Sequence, residues 1–566
     1  MVIQRKLKLM LISSYMLILI FSIYFKYFPT IINSTISNFF ILIVTFLIIA
    51  LLTYECFNLS SSIDFFLTVP QFLVFTFLVR AIPNIRFLYP PTHDSYYYYI
   101  STLNIINSYT LTPIFTSWYS SVDLLLHWPI MQILTVILVD ITKINGFQFL
   151  RFQEPLMGML FFTSVFILAK LITKNNNISL LTAFIASMSD VVIFYESEYH
   201  PQGLSVIFFI IIIYLFIKSR KSSNIGYLVL AFIFSVVFCF SHDFTPLFIT
   251  FIIIEYTLLL LVINLLYNKT IFINNIFGNI KEMFNDYRFF MIFILLLYTY
   301  QVISYYKFLS LSNFMITSLP SLNAPLNPIT SHIPLFTSIL SSAKWVVFIL
   351  SIISIFYILI TKNINELRIS LIFICIIFTG IIGNYIIAAP LDRIIAIYIP
   401  FASIFAALTI FRLKDTWFKK INNNIKTFIC ISIIAFIVLS GILNSQTPAY
   451  FFENSNQNTY YWNSNDLSSV QFYNNTGNWI KSYTSNESLY SLEFDTFILP
   501  FYANRSFDKV IDMSKMNTYS NSYFIVNPEI TYNYKYTKQN YNKSIFLYYS
   551  NLYYTNGGLI VGTNKF

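Results

Sequence analysis

Over the first 444 residues, apolar positions gather into long runs broken by short polar turns. A helix needs roughly 20 apolar residues to cross the hydrocarbon core, because lipid offers no partner to backbone N–H and C=O groups. Counting such runs predicts about thirteen spans. They cover residues 9–28, 39–54, 65–79, 155–173, 178–195, 201–217, 225–240, 244–266, 289–309, 345–360, 369–388, 394–411 and 427–443. A further run, 124–139, is shorter, contains His127 and Pro129, and is bracketed by polar stretches.

Charge decides how that short run lies. If it does not cross, Arg5, Lys6 and Lys8, Lys170 and Lys174, Lys218, Arg220 and Lys221, Lys362 and Arg368, and Arg412, Lys414, Lys419 and Lys420 all share one side. The positive-inside rule makes that side cytoplasmic. If it crosses, every later cluster faces outward against Arg5, Lys6 and Lys8. It is therefore read as a juxtamembrane helix within a long external loop, 81–154, with Trp128 suited to the headgroup level. The N-terminal run is read as a retained anchor, since no small-x-small cleavage site follows Phe28 cleanly.

Beyond residue 444 the pattern changes to a polar stretch rich in Asn, Ser, Thr and Tyr with short alternating runs. An odd number of spans places this tail, 445–566, outside. Its length suits one small domain of α+β or mostly β character. Sequons at Asn474, Asn486, Asn504 and Asn542 fit an external tail, but in so Asn-rich a segment chance supplies about as many. The expected architecture is thus a multi-pass α-helical membrane protein, residues 1–444, with a cytoplasmic N-terminus and an extracytoplasmic C-terminal domain.

Composition narrows the class further. Hydrophobic residues make up 57% of the chain and charged ones only 10%, far below the quarter or so of a soluble domain, which excludes one large soluble protein. The net charge of +10 comes from short Lys/Arg clusters between apolar runs, so it reads as a topology signal and not as a nucleic-acid footprint. Cys56, Cys239, Cys375 and Cys430 show no paired spacing and signal neither a disulfide framework nor a zinc site.

Ionisable groups near a bilayer are expensive, so their placement is informative. They gather at the external turns. His93 and Asp94 lie in the first large loop, ahead of Tyr96 to Tyr99; Asp94 can act as general base or metal ligand, or as a helix N-cap, and the two roles are compatible. Glu196, Glu198 and His200 crowd the next external turn, just before Pro201. They suit either a solvated helix start or a cluster that binds phosphate through His200 or a metal through the acids. His242 and Asp243 open another span, where a structural role is the simpler reading. Asp392 and Arg393 form a fourth site, either an exposed ion pair or a guanidinium placed to grip a lipid-linked phosphate.

The first-loop His93-Asp94, the juxtamembrane run 124–139, the 195–203 turn reading Tyr-Glu-Ser-Glu-Tyr-His-Pro-Gln-Gly, the 241–246 turn reading Ser-His-Asp-Phe-Thr-Pro, Asp392-Arg393 and the external tail together carry a resemblance. In layout the chain resembles the GT-C integral-membrane glycosyltransferases, among them protein mannosyltransferases and oligosaccharyltransferases. The resemblance implies a donor sugar on polyprenyl or dolichyl phosphate, transferred with inversion on the outer face to a protein or glycan acceptor. It implies Asp94, with His93 beside it, as the catalytic pair, and Arg393, His200 and His242 as holders of the donor phosphate. Glu196, Glu198, Asp243 and Asp392 would position the acceptor or a metal. Whether a divalent cation, Mg or Mn, sits on Asp94, Glu196 and Glu198 stays open. The chain departs from the pattern in having His-Asp where two acids are usual and in lacking a Trp-Trp-Asp-Tyr-Gly motif, the nearest stretch being Tyr460-Tyr461-Trp462-Asn463. Single sugars are therefore expected over whole oligosaccharides.

Two other classes compete. A transporter or lipid-linked glycan flippase predicts ionisable residues near the bilayer midplane and broken helices. Midspan, the chain offers little beyond Asp190 and Glu255. A polyprenyl-diphosphate glycan ligase would also use external Arg and acidic loops.

Overall fold

The computed structural model describes residues 34–59, 61–86, 129–144, 146–197, 201–222, 224–241, 343–361, 391–417 and 421–450, seven short strands after residue 487, and isolated helical positions at 11, 14, 16, 102, 105 and 106. The chain divides into two compact units. The first comprises Met1–Arg86, Gln153–Ser197 and Pro201–Phe451, and the second Phe87–Phe152, Glu198–His200 and Phe452–Phe566.

The described helices are α1 (Ser34–Phe57), α2 (Ser62–Arg86), α3 (Ile130–Thr142), α4 (Gly146–Thr173), α5 (Asn176–Ser187), α6 (Asp190–Ser197), α7 (Pro201–Ser222), α8 (Ile225–Cys239), α9 (Ala343–Thr361), α10 (Leu391–Asp415) and α11 (Asn423–Tyr450). Five stretches are long and apolar enough to cross a bilayer among the described residues: Ile63–Ala81, Phe152–Thr173, Pro201–Ser219, Ile395–Asp415 and Asn423–Leu443. The chain is a multi-pass helical membrane protein. Expected spans 9–28, 244–266, 289–309 and 369–388 lie outside the described residues, apart from the isolated positions above.

Local chemistry fixes the helix ends. Asn175 stands in extended geometry, and its side-chain oxygen accepts from the amides of Asn177 and Ile178 at 2.9 and 3.2 Å, starting α5 one residue after Lys174, whose φ is 56°. Ser61 and Asp64 exchange hydrogen bonds of 3.1 and 2.7 Å as a capping pair for α2. Helix α3 begins after Pro129, later than the run 124–139 suggests, because proline has no N–H with which to continue a helix upstream. At 13 residues it is about 20 Å long, short of a bilayer core.

Within the first unit, α10 is the central helix: 89% of its apolar stretch is buried, against 39% for α2. It packs on α9 and α5, while α11 lies along α1 and α6. Phe184 of α5 is fully buried, with its ring centroid 4.9 Å from Phe72 and 5.8 Å from Phe75, both on α2. Outward faces are equally apolar. Trp345, Ile349, Ile353, Phe356 and Ile360 run down α9 at helical spacing, and Leu228, Val229, Phe232 and Ile233 line α8, a surface that suits lipid and not water.

At the end of this unit where α10 finishes, the cations are tied down. Arg412 donates to the Ser354 hydroxyl at 3.1 Å and lies 4.2 Å from the Tyr357 ring centroid; Lys414 donates to the Phe57 carbonyl at 3.2 Å.

One expected span is corrected. Residues 178–195 do not form one helix: α5 stops at Ser187 and α6 starts at Asp190. The cause is side-chain competition for the backbone, developed below.

In the second unit, besides α3, the strands β1 (Ser488–Ser491), β2 (Asp508–Lys509), β3 (Ser522–Val526), β6 (Asn551–Thr555) and β7 (Ile560–Thr563) form a sheet in the order β2-β1-β3-β7-β6. β1 pairs in parallel with β2 and β3, and the β3–β7 and β6–β7 pairs are antiparallel, with a bulge at Leu552/Tyr554. The short strands β4 (Asn533–Tyr534) and β5 (Thr537–Lys538) pair as a separate hairpin.

Packing of this kind predicts an asymmetry. Phe184→Ala, which removes a ring from between α2 and α5, should cost about 3 kcal/mol, lowering the melting midpoint in detergent. Ile233→Ala on the lipid face should leave the midpoint unchanged.

Candidate functional site: a broken span and its cations

Arg80, near the end of α2, is completely buried, an expensive place for a charge. Its guanidinium donates to the Thr76 carbonyl of its own helix at 3.3 Å and to the Ser187 carbonyl, the last of α5, at 2.7 Å. The second bond sets a cation against the negative end of the α5 dipole, where it stabilises both partners. The guanidinium lies over Gly158 of α4: a Cβ there would collide with Arg80 Cδ, Nε and Cζ.

Three residues past Ser187, Asp190 opens α6. One carboxylate oxygen accepts from the Val191 amide at 2.9 Å and from the Ser189 hydroxyl at 3.3 Å; the other lies 3.9 Å from the Lys344 ammonium, in the first turn of α9. In an uninterrupted helix the Val191 amide would donate to the Ser187 carbonyl. Here Arg80 takes the carbonyl and Asp190 takes the amide, while the Ser189 amide turns to the Ala186 carbonyl at 3.3 Å, so the backbone ladder is interrupted and the span breaks. The ladder restarts at once, with Ile193 donating to Ser189 O at 2.9 Å. Behind the break stands Gly441 of α11, where a Cβ would collide with the Met188 carbonyl oxygen.

More buried polar side chains lie in this unit: Gln153 and Glu154 within α4, and Gln202 and Ser205 in the first turns of α7. At the break itself, two cations, one buried and one half-buried, and a carboxylate are held close to helix ends. Such an arrangement suits an anionic group presented from a lipid interface.

Of the residues singled out in the sequence, His93, Asp94, Glu198, His200, His242 and Asp243 lie outside the described residues. Glu196 falls in the last turn of α6, and Asp392 and Arg393 in the first turn of α10, while the side chains of these three are outside the described set. Helices α6 and α10 pack on each other. Among the described residues no group of three or more His, Cys, Asp or Glu is placed to hold a metal ion. Sequence reasoning missed Arg80 and Lys344 and gave Asp190 no role. A signal was present: both cations stand at span ends opposite the clusters around Lys170 and Arg412, against the charge asymmetry that orients the other spans.

No protein-family model matches the chain, and no curated protein matches it. Solved structures do. The crystal structure of ArnT from Cupriavidus metallidurans bound to undecaprenyl phosphate aligns with a TM-score of 0.52 at 11% identity, covering 88% of this chain and 98% of that one. The apo form of the same protein aligns with a TM-score of 0.52 at 10% identity, covering 88% and 97%. The chain has the fold of the GT-C membrane proteins, as the layout of its loops and spans led one to expect.

The glycine contact at the break is open to a direct check. Gly441→Ala should drive α11 off the Met188 carbonyl at a cost of about 1–3 kcal/mol, seen as a lower melting midpoint in detergent. An unchanged midpoint would mean that α11 does not press on the break.

Proposed function

We propose that this chain is an inverting membrane glycosyltransferase, a hexosyltransferase that moves a sugar from a polyprenyl-phosphate carrier to a protein or glycan acceptor on the outer face of the membrane. The observation that carries the reading is the pairing of the GT-C fold with a buried cation, Arg80, and a half-buried one, Lys344, at one end of an apolar helical unit. The fold neighbour ArnT was crystallised with undecaprenyl phosphate, a ligand of the class proposed here.

In this mechanism the lipid tail stays in the bilayer and the phosphate sits at the interface. Asp94, oriented by His93, takes the proton of the acceptor nucleophile. The new bond forms to the anomeric carbon as the bond from that carbon to the phosphate oxygen breaks, and polyprenyl phosphate departs with both electrons of that bond. Arg393, His200 and His242 hold the departing phosphate, and Lys344 joins them as a further cation. Glu196, Glu198, Asp243 and Asp392 position the acceptor. Asp94, Glu196 and Glu198 are the carboxylates open to a divalent cation, magnesium or manganese, which would neutralise phosphate charge.

A second reading draws on the broken span itself. Discontinuous helices line substrate paths in transporters, so a lipid-linked glycan flippase also fits the α5–α6 break. Turnover separates the two, because a flippase releases no sugar from its carrier.

The test offers polyprenyl-phosphate hexose and a diphosphate-linked oligosaccharide side by side to the purified chain in detergent, with and without EDTA. Wild-type protein should consume the monophosphate donor, and Asp94→Asn should lower kcat by about 10²-fold or more. Lys344→Gln should mainly raise KM for the donor, by about tenfold. No turnover of either donor would remove the transferase assignment, and equal turnover in Asp94→Asn would remove Asp94 from the role of base. Activity lost in EDTA and restored by magnesium or manganese would identify the cation.

A further inference from the structure

We infer that Arg80 is a positioning residue, setting the place of Lys344 at the phosphate site by holding the fifth span open at Ser187. The inference rests on the transferase reading and extends it from residues that touch the donor to one that acts through others.

The argument is a matter of which hydrogen bonds exchange. Arg80 reaches across to a carbonyl 107 residues away in sequence, at 2.7 Å, and not to an acid on its own helix. That carbonyl is the one the Val191 amide would otherwise use. Without the guanidinium, Val191 can bond Ser187 again and α5 can run on into α6 as a continuous helix. The Asp190 carboxylate would then lose its Val191 partner at 2.9 Å and swing with the rewound turn, away from the Lys344 ammonium 3.9 Å from it. Lys344 would keep its charge and lose the Asp190 carboxylate beside it.

Two glycines point the same way. Gly158 leaves the space through which the guanidinium passes, and Gly441 leaves room for the Met188 carbonyl turned out of the helix at the break. Each lies on a different helix, and each accommodates the open form of this one turn.

The experiment is a double-mutant cycle read by binding. Full-length wild type, Arg80→Met, Lys344→Gln and the double variant are purified in detergent, checked for monodispersity and helix content, and titrated with undecaprenyl monophosphate by native mass spectrometry. Each single variant should weaken binding by about tenfold, and the double variant should bind no more weakly than Lys344→Gln alone, because both changes remove the same interaction. Arg80→Lys, which can still donate to the Ser187 carbonyl, should recover part of the affinity. A double variant weakened by the product of the two single effects, or an Arg80→Met that binds like wild type, overturns the positioning role and leaves the transferase reading standing. Wild-type protein that binds no undecaprenyl phosphate removes both. Should Arg80→Met fail to fold, Gly158→Ala carries the same cycle: it keeps the cation and pushes it off the carbonyl, and the same non-additivity with Lys344→Gln is expected.

Discussion

A single hydrogen bond, from the Arg80 guanidinium to the Ser187 carbonyl, governs how the centre of the helical unit is built. Helices α5 and α6 together touch α1, α2, α7, α10 and α11, so whatever shapes their junction is felt across the bundle. Residues 179–187 of α5 are buried without exception, and no water or headgroup can satisfy a loose backbone group there. Side chains take up backbone groups that the break leaves without a helical partner. A charged donor covers the carbonyl, a carboxylate covers the amide, and a second cation faces the carboxylate.

The rest of the unit follows a different logic. Between membrane helices the hydrophobic effect contributes little, since a lipid tail is as apolar as a leucine. Association relies on close fit, and the contacts that hold here are ring against ring at Phe72, Phe75 and Phe184, and backbone against side chain or backbone at Gly158 and Gly441. Hydroxyls add direction, as where Thr409 of α10 donates to the Leu350 carbonyl of α9 at 2.8 Å. Both ends of the unit hold cations against helix ends and acids: Lys414 bonds the Phe57 carbonyl that closes α1 and lies 3.7 Å from Asp415, while Arg80 bonds the Ser187 carbonyl that closes α5 and Lys344 faces Asp190; only near Arg412 and Lys414 do aromatic rings, Tyr357 and Phe57, join them.

Much of the helical layout was legible in the chain, because twenty apolar residues in a row announce a crossing helix whatever their order. Expected spans 65–79, 201–217, 394–411 and 427–443 all fall inside described helices, each of which extends a few residues further through caps and interfacial turns. The break at Met188 was not legible. Hydropathy runs smoothly across it apart from one aspartate, and its cause lies 107 residues upstream, beyond the reach of any local pattern. For the site, the sequence directs attention to turns dense in acids and histidines, most of which lie outside the described residues. It passes over two cations, Arg80 and Lys344, whose importance comes from the helix ends and the carboxylate they meet, which no composition reveals.

The two glycine contacts bear on how such a protein changes over long times. At most apolar positions of this unit, one aliphatic or aromatic residue can replace another with small effect, so the alphabet drifts freely and records little of its origin. At Gly158 and Gly441 a single methyl group meets occupied space, and the choice of residue carries nearly all the information that the position can hold. Many different sequences can therefore satisfy the rest of the helical unit, and the tolerance for substitution narrows to such close approaches.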